Sequence, residues 1–217
     1  MTLSRAVLWD LDGTLVDSED YHWQAWRDTM AAEGVTLTYE QFRGTFGQRN
    51  DTILRQFLGD AADAARIERV GDAKEILYRD LVQRGGLAPL PGAAEWVRRL
   101  HREGWAQAIA SSAPRLNIDA VLAVIGLAGE FDAATSAEDV RRGKPDPEVF
   151  LVAAARLGVP PARAIVVEDA GAGIEGARRA GMRSIAVVRE GTALPADICV
   201  RSLADLAPGA FDTLLIR

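Results

Sequence analysis

The chain has 217 residues, 48% of them hydrophobic and 26% charged, with a formal net charge of −6 at pH 7. That length can bury a sizeable core as one domain or two unequal ones, and the composition excludes a disordered chain. The negative balance provides no basic field for nucleic acid, so a small anionic ligand would have to meet local positive charge.

The first predicted element is a strand, Ala6–Trp9, whose continuous apolar run suits a parallel sheet covered on both faces. It leads into WDLDGTLVDSE, where Asp10 and Asp12 stand two apart ahead of Gly13. From about residue 18 to residue 87 helical patterns and turns replace strands. Ile67, Val70, Leu77 and Leu81 form a partial apolar stripe there, and QRGGLAPLPG marks the exit. This predicts an all-helical insertion lying as a lid over the end of the first strand. Beyond it, Ala93, Trp96, Val97 and Leu100 share a helical face, followed by strands at Ala106–Ala110 and Ala133–Thr135. Asp146 is the expected N-cap of the next helix, with Pro147 at its first position, Phe150, Ala153, Ala154 and Leu157 on its apolar face, and Gly158 past its end. A strand at 164–167, a helix begun near Gly171 and stopped by Gly181, and a strand at 184–188 complete the series.

This alternation predicts an α/β fold, a Rossmann-like parallel sheet core in three α/β/α layers with an inserted helical cap. The expected division is a core of residues 1–17 and 88–217 and a cap of residues 18–87. Cys199 is the only cysteine, so no intramolecular disulfide can form. The first residues show no basic region followed by a long apolar stretch, and no apolar run is long enough to cross a bilayer. A cytoplasmic protein is expected.

Two carboxylates held together at the end of a buried strand repel each other, so a cation or a shared proton must compensate. The alternative is a solvated Asp-Gly turn. If the site is chemical, Asp10 suits attack on phosphorus and Asp12 suits proton transfer to the leaving oxygen and from water. Ser111 and Ser112 end a strand, where their hydroxyls and backbone N–H groups can hold phosphate oxygens or cap a helix. Lys144, in RRGKPDP, is either a compensating charge or a solvated one. Glu168 and Asp169 end another strand before GAGIEG opens a helix, which reads as a metal site or as an acidic loop. Asp10, Asp169 and a phosphate dianion bring roughly four negative charges together, and Mg²⁺ with Lys144 returns about three positive ones.

With these motifs in order, the chain resembles the haloacid-dehalogenase superfamily: DLDGTLVDSE with Asp10 and Asp12, ASS at Ser111, GKPDPEVF with Lys144, and VVEDAGAGIEGA with Asp169. The resemblance implies that Asp10 is a nucleophile and that Asp12 is the acid/base and offers Mg²⁺ a backbone carbonyl. It also implies that Ser111 and Lys144 hold the phosphoryl group and that Asp169 completes the metal site, with Glu168 beside it. Asp12 argues against the dehalogenase branch. The insertion resembles the small cap of the β-phosphoglucomutase and sugar-phosphate phosphatase subgroup. In it DSEDYHWQAW implies cap-side roles for His22 and Trp26, four apart on one helix face, and FGQRNDTI implies a phosphate-binding Arg49. Trp26 can equally be cap core, and His22 can simply hydrogen-bond within its helix. The mutase carries a further cap lysine, near whose expected place stand Arg79 and Asp80. Asp80 would repel a second phosphate.

The expected activity is therefore Mg²⁺-dependent hydrolysis of a small phosphate monoester, such as a sugar phosphate, through an aspartyl-phosphate. The mutase is the nearest rival, and a non-catalytic binding protein on the same fold a more distant one. The expected partner is a small phosphorylated metabolite, with neither nucleic acid nor membrane, and a monomer is compatible with all of this.

Overall fold

The computed structural model describes residues 5–45, 48–59, 62–188, 191 and 193–216. Residues 1–4 of the expected core and the Phe46-Gly47 pair that opens FGQRNDTI lie outside the described residues. The strands are β1 (Ala6–Trp9), β2 (Ala106–Ala110), β3 (Ala133–Thr135), β4 (Ala164–Glu168), β5 (Arg183–Val187) and β6 (Ile198–Val200). Among the described residues they form one sheet in the order β3-β2-β1-β4-β5-β6, parallel throughout.

Strand periodicity divides the core into two layers. Val7, Trp9, Ile109, Ile165 and Val167 point to the face covered by α5 (Ala93–Arg102), α6 (Arg115–Val124) and α9 (Ala210–Ile216). Phe211 anchors that layer, with its ring 5.1 Å from Trp96 and 6.0 Å from Trp9. Ala6, Leu8, Ala108, Ala110, Ala164 and Val166 point the other way, toward α7 (Glu148–Arg156) and α8 (Gly171–Arg179). Small residues on that face leave room for Phe150 of α7, which is fully buried there. The result is the expected α/β/α sandwich.

Three local readings need correction. β5 lies one residue earlier than predicted. β6 was not anticipated, because an edge strand with a half-exposed face and an exposed Cys199 needs no long apolar run. α7 starts at Glu148, with Pro147 in the cap position. Asp146 still accepts the Glu148 N–H, at 3.1 Å, the bond its reading as a cap implies, so only the helix start lies one residue later.

Between β1 and α5 the chain is helical: α1 (Glu19–Ala32), α2 (Tyr39–Arg43), α3 (Asn50–Leu58) and α4 (Ala64–Gly85). Trp26, Met30, Leu37, Phe42, Ile53, Leu54, Ile67 and Val70 form a hydrophobic cluster of their own. α4, 22 residues and so about 33 Å long, links two cores. Its Ile67 and Val70 belong to the helical cluster, while Tyr78 and Val82 join the sheet's larger layer. The partial stripe read from the sequence was the trace of one helix serving both. Among the described residues no helix is long and apolar enough to cross a membrane.

Candidate active site

Trp9 pairs with Ile109 on one side and Val167 on the other, so β1, β2 and β4 finish almost level. The residues that follow them emerge side by side at the carboxyl edge, where parallel sheets bind ligands. The Asp10 N–H extends the ladder by donating to the Val167 carbonyl at 3.0 Å, which fixes the backbone under its side chain. Asp10 is 7% exposed. Its Oδ1 accepts from Lys144 Nζ at 2.5 Å, and the same ammonium reaches Glu168 Oε1 at 2.6 Å. Lys144 is therefore a buried bridge rather than a surface charge. The other oxygen of Glu168 accepts from the backbone N–H groups of Asp169 and Ala170, at 2.9 and 2.8 Å.

Asp169 completes a trio: one carboxylate oxygen each from Asp10, Glu168 and Asp169 lies within 4.8 Å of the others. Two glycines make room for them. Gly13 has φ +89°, and a Cβ there would overlap Asp169 Oδ2; a Cβ on Gly173 would overlap Glu168 Oε1. Gly13 and Gly173 are thus explained by close approach to carboxylates.

Three carboxylates crowd around a single ammonium, and the protonation of Asp10 and Asp169 reflects it. Burial, with Glu168 and Asp12 nearby, outweighs Lys144 and pushes the Asp10 carboxyl up to about 7. Burial, Glu168 and Asp10 likewise hold Asp169 well above the usual carboxylate range. Burial works against the Lys144 ammonium, but Asp10 and Glu168 prevail and keep it charged. An all-oxygen donor set with surplus negative charge is the environment that a hard divalent cation such as Mg²⁺ fits.

Asp12 faces elsewhere, and its carboxylate is not part of that trio. Its Oδ1 accepts from Ser18 Oγ at 2.5 Å and lies 3.4 Å from both Tyr78 OH and His22 Nε2. Burial would raise the Asp12 carboxyl, but the His22 and Ser18 contacts prevail and hold it below its ordinary value. His22 stacks on Tyr78 with ring centroids 3.9 Å apart. Lys74 Nζ stands 2.9 Å from His22 Nδ1. An ammonium can only donate, so Nδ1 is the acceptor and Nε2 carries the proton directed at Asp12. Burial and the Lys74 charge push the His22 imidazole toward this neutral form.

Asp10, Asp12, His22, Trp26, Ser111, Ser112, Lys144, Glu168 and Asp169, all singled out from the sequence, line one cavity of about 240 Å³. Trp26 resolves its two readings by serving both: it is packed in the helical cluster and also faces the cavity, with Lys74 Nζ 5.1 Å from its ring centroid. For Ser111 one expectation needs correction. Its N–H is committed to the Thr135 carbonyl, and its Oγ accepts from the Ala113 N–H, both at 3.0 Å. Only the hydroxyl proton remains to reach a ligand.

Arg49 is not brought to this cavity. Its guanidinium donates to the Ala137 and Val140 carbonyls at 2.9 and 3.2 Å, and it lines an adjoining cavity of about 500 Å³. Arg79 donates to Asn117 Oδ1 at 2.8 Å, while Asp80 pairs with Arg84 in solvent. Neither lines the cavity with Asp10. Among the described residues, the cation on its helical side is Lys74, 1% exposed, which the sequence reading missed. The signal was available: position 74 continues the apolar stripe of Ile67 and Val70 toward Tyr78, so a lysine there lies on a buried face.

Residues 4–181 match the haloacid dehalogenase-like hydrolase family. The chain belongs to that family and is an enzyme of the phosphohydrolase kind. It is 33% identical over 188 residues to validoxylamine A 7'-phosphate phosphatase of Streptomyces hygroscopicus subsp. limoneus, covering 82% of this chain and 83% of that one. It is 31% identical over 212 residues to β-phosphoglucomutase of Bacillus subtilis, covering 93% and 91%. The crystal structure of CbbY from Rhodobacter sphaeroides in complex with phosphate superposes with a TM-score of 0.88 at 29% identity, over 97% of this chain and 100% of that one.

Proposed function

We propose that the chain is a Mg²⁺-dependent phosphatase acting on a small phosphate monoester of the sugar-phosphate kind. The observation that carries this reading is Lys144 bridging Asp10 and Glu168 beside Asp169 at the end of β1. Asp10 attacks phosphorus, the bond to the leaving oxygen breaks, and Asp12 gives that oxygen a proton. Water then attacks the aspartyl-phosphate, the Asp10–phosphorus bond breaks, and Asp12 takes the water proton. The incoming phosphate dianion raises the Asp12 carboxyl and loads it for the first step, while Ser18 and His22 favour the ionised form needed for the second. Lys144 and the Ser111 hydroxyl hold phosphoryl oxygens.

Asp10, Asp169 and the Asp12 backbone carbonyl would hold Mg²⁺, which when bound supplies positive charge beside the phosphoryl oxygens. Both oxygens of Glu168 already accept hydrogen bonds, so its part is to fix Lys144 and the turn at Asp169. Residues 18–87 act as a cap, which excludes water from the cavity and carries His22, Trp26 and Lys74 to it. A mutase is the second reading, favoured by the Bacillus relative and by Lys74 at the cap end. Incubating the enzyme and Mg²⁺ with a panel of phosphorylated sugars and polyols, scored for both free phosphate and isomerised product, tests the choice. Phosphate release is expected; stoichiometric isomerisation without it would promote the mutase.

Asp12→Asn should slow turnover by about 10²–10⁴-fold, the usual contribution of a positioned acid/base. Steady-state kinetics on a natural-type ester would show it, and an unchanged kcat would remove Asp12 from proton transfer. Because Asp10 titrates near 7 and Asp169 also lies high, Mg²⁺ must displace protons to bind. Affinity should therefore tighten as pH rises from 6 to 8, with proton release visible by calorimetry in buffers of different ionisation enthalpy. Binding independent of pH would contradict this.

A further inference from the structure

We propose that Glu75 is a specificity-determining residue that turns the cap end of the cavity against a second phosphate, so that the substrate is a monophosphate whose far end is uncharged. This rests on the phosphatase reading and narrows its substrate class. Among the described residues lining the cavity, the cations are Lys144 and Lys74. Lys144 is committed to the carboxylates around Asp10. Lys74 would be the natural partner for a second phosphate, but its Nζ is 2.9 Å from Glu75 Oε1, and both side chains are almost wholly buried.

Glu75 is firmly held as an anion in that place. Asn50 Nδ2 donates to its Oε1 and Asn117 Nδ2 to its Oε2, both at 2.5 Å. Burial works to raise its carboxyl, but Lys74 and the Asn50 bond prevail and hold it below the usual range. Asn117 is itself fixed from the other side by Arg79, so the carboxylate cannot turn away without breaking a chain that runs from α4 to α6.

The consequence is a charge balance. Lys74 and Glu75 sum to zero at the cap end, and His22 is driven toward neutrality. The nearby wall adds Trp26, Ile53, Ala113 and Pro114, none of them cationic. Arg49 does not line this cavity: its Nη1 donates to the Ala137 and Val140 carbonyls and its Nε to Asp51. A second phosphate would lose its hydration and meet a neighbouring carboxylate, whereas hydroxyl groups can use Lys74, Asn50 and Gln48 as hydrogen-bonding partners.

The test compares kcat/KM for glucose 6-phosphate and fructose 6-phosphate with that for the corresponding 1,6-bisphosphates, in wild type and in Glu75→Gln. Wild type should favour the monophosphates by about tenfold or more, and Glu75→Gln should move the ratio toward the bisphosphates by about tenfold, the effect of one unit of charge at close range. Using the ratio makes the result independent of any overall loss of activity. Wild type accepting bisphosphates as well as monophosphates overturns the proposal, whether or not the variant folds. A folded Glu75→Gln with an unaltered ratio overturns the role of Glu75. Asp10-dependent hydrolysis of an aryl phosphate, run alongside, separates the two levels. If it is present while the ratio fails, the phosphatase stands and this inference falls; if it is absent, both fall.

Discussion

Asp10→Asn is expected to lower turnover by roughly 10⁴-fold or more, since an amide is a poor nucleophile and no other group occupies its place. Phosphate release after exhaustive purification is the measurement, and residual activity near wild type would show that another group attacks. The fold should survive. In the metal-free enzyme Asp10 is a crowded carboxylate, buried and facing Glu168, so the amide relieves repulsion. The sign can be worked out. A carboxyl near 7 in the folded chain and near 3.8 when unfolded binds its proton more tightly in the folded state, so it subtracts stability as pH rises from about 4 to 7. Without metal, wild type should therefore lose thermal stability relative to Asp10→Asn between pH 5 and pH 8. A Tm difference that stays flat over that range would show that Asp10 is not strained by its neighbours. Adding Mg²⁺ at pH 8 should stabilise wild type much more than the variant.

Lys144→Ala should damage both activity and stability. Lys144 is 7% exposed at its side chain and holds Asp10 and Glu168 together, so truncation leaves buried carboxylates without their cation. Breaking such a pair costs about 3–5 kcal/mol. In catalysis the loss of a preorganised charge at a developing phosphoryl anion should cost about 10²–10³-fold in kcat. The two effects separate experimentally, because lowering the pH protonates the orphaned carboxylates and should restore Tm without restoring turnover. A variant with wild-type Tm and kcat would return Lys144 to the status of an ordinary surface charge.

Much of this was legible in the chain itself. Apolar runs such as AVLW and AIVV determine strands covered on both faces, and the ordered motifs around Asp10, Ser111, Lys144 and Asp169 determine family and chemistry. These are properties of short segments: a strand's burial or a turn's glycine depends on a few neighbouring residues. The β6 edge strand escaped because one-sided pairing leaves only a weak apolar signature. What only the tertiary structure decided is which charges meet. Lys144 bonds a residue 134 positions away, and no spacing rule reports that. Arg49 Nη1 bonds backbone carbonyls far along the chain, so a motif position that suggested substrate contact faces another cavity. Lys74 and Glu75 look like ordinary helical charges until α4 packs against α1 and α6 and buries them together against His22 and Asn117. Local pattern specifies the elements, but the electrostatics of a site belong to groups that become neighbours only when those elements pack and water is excluded between them.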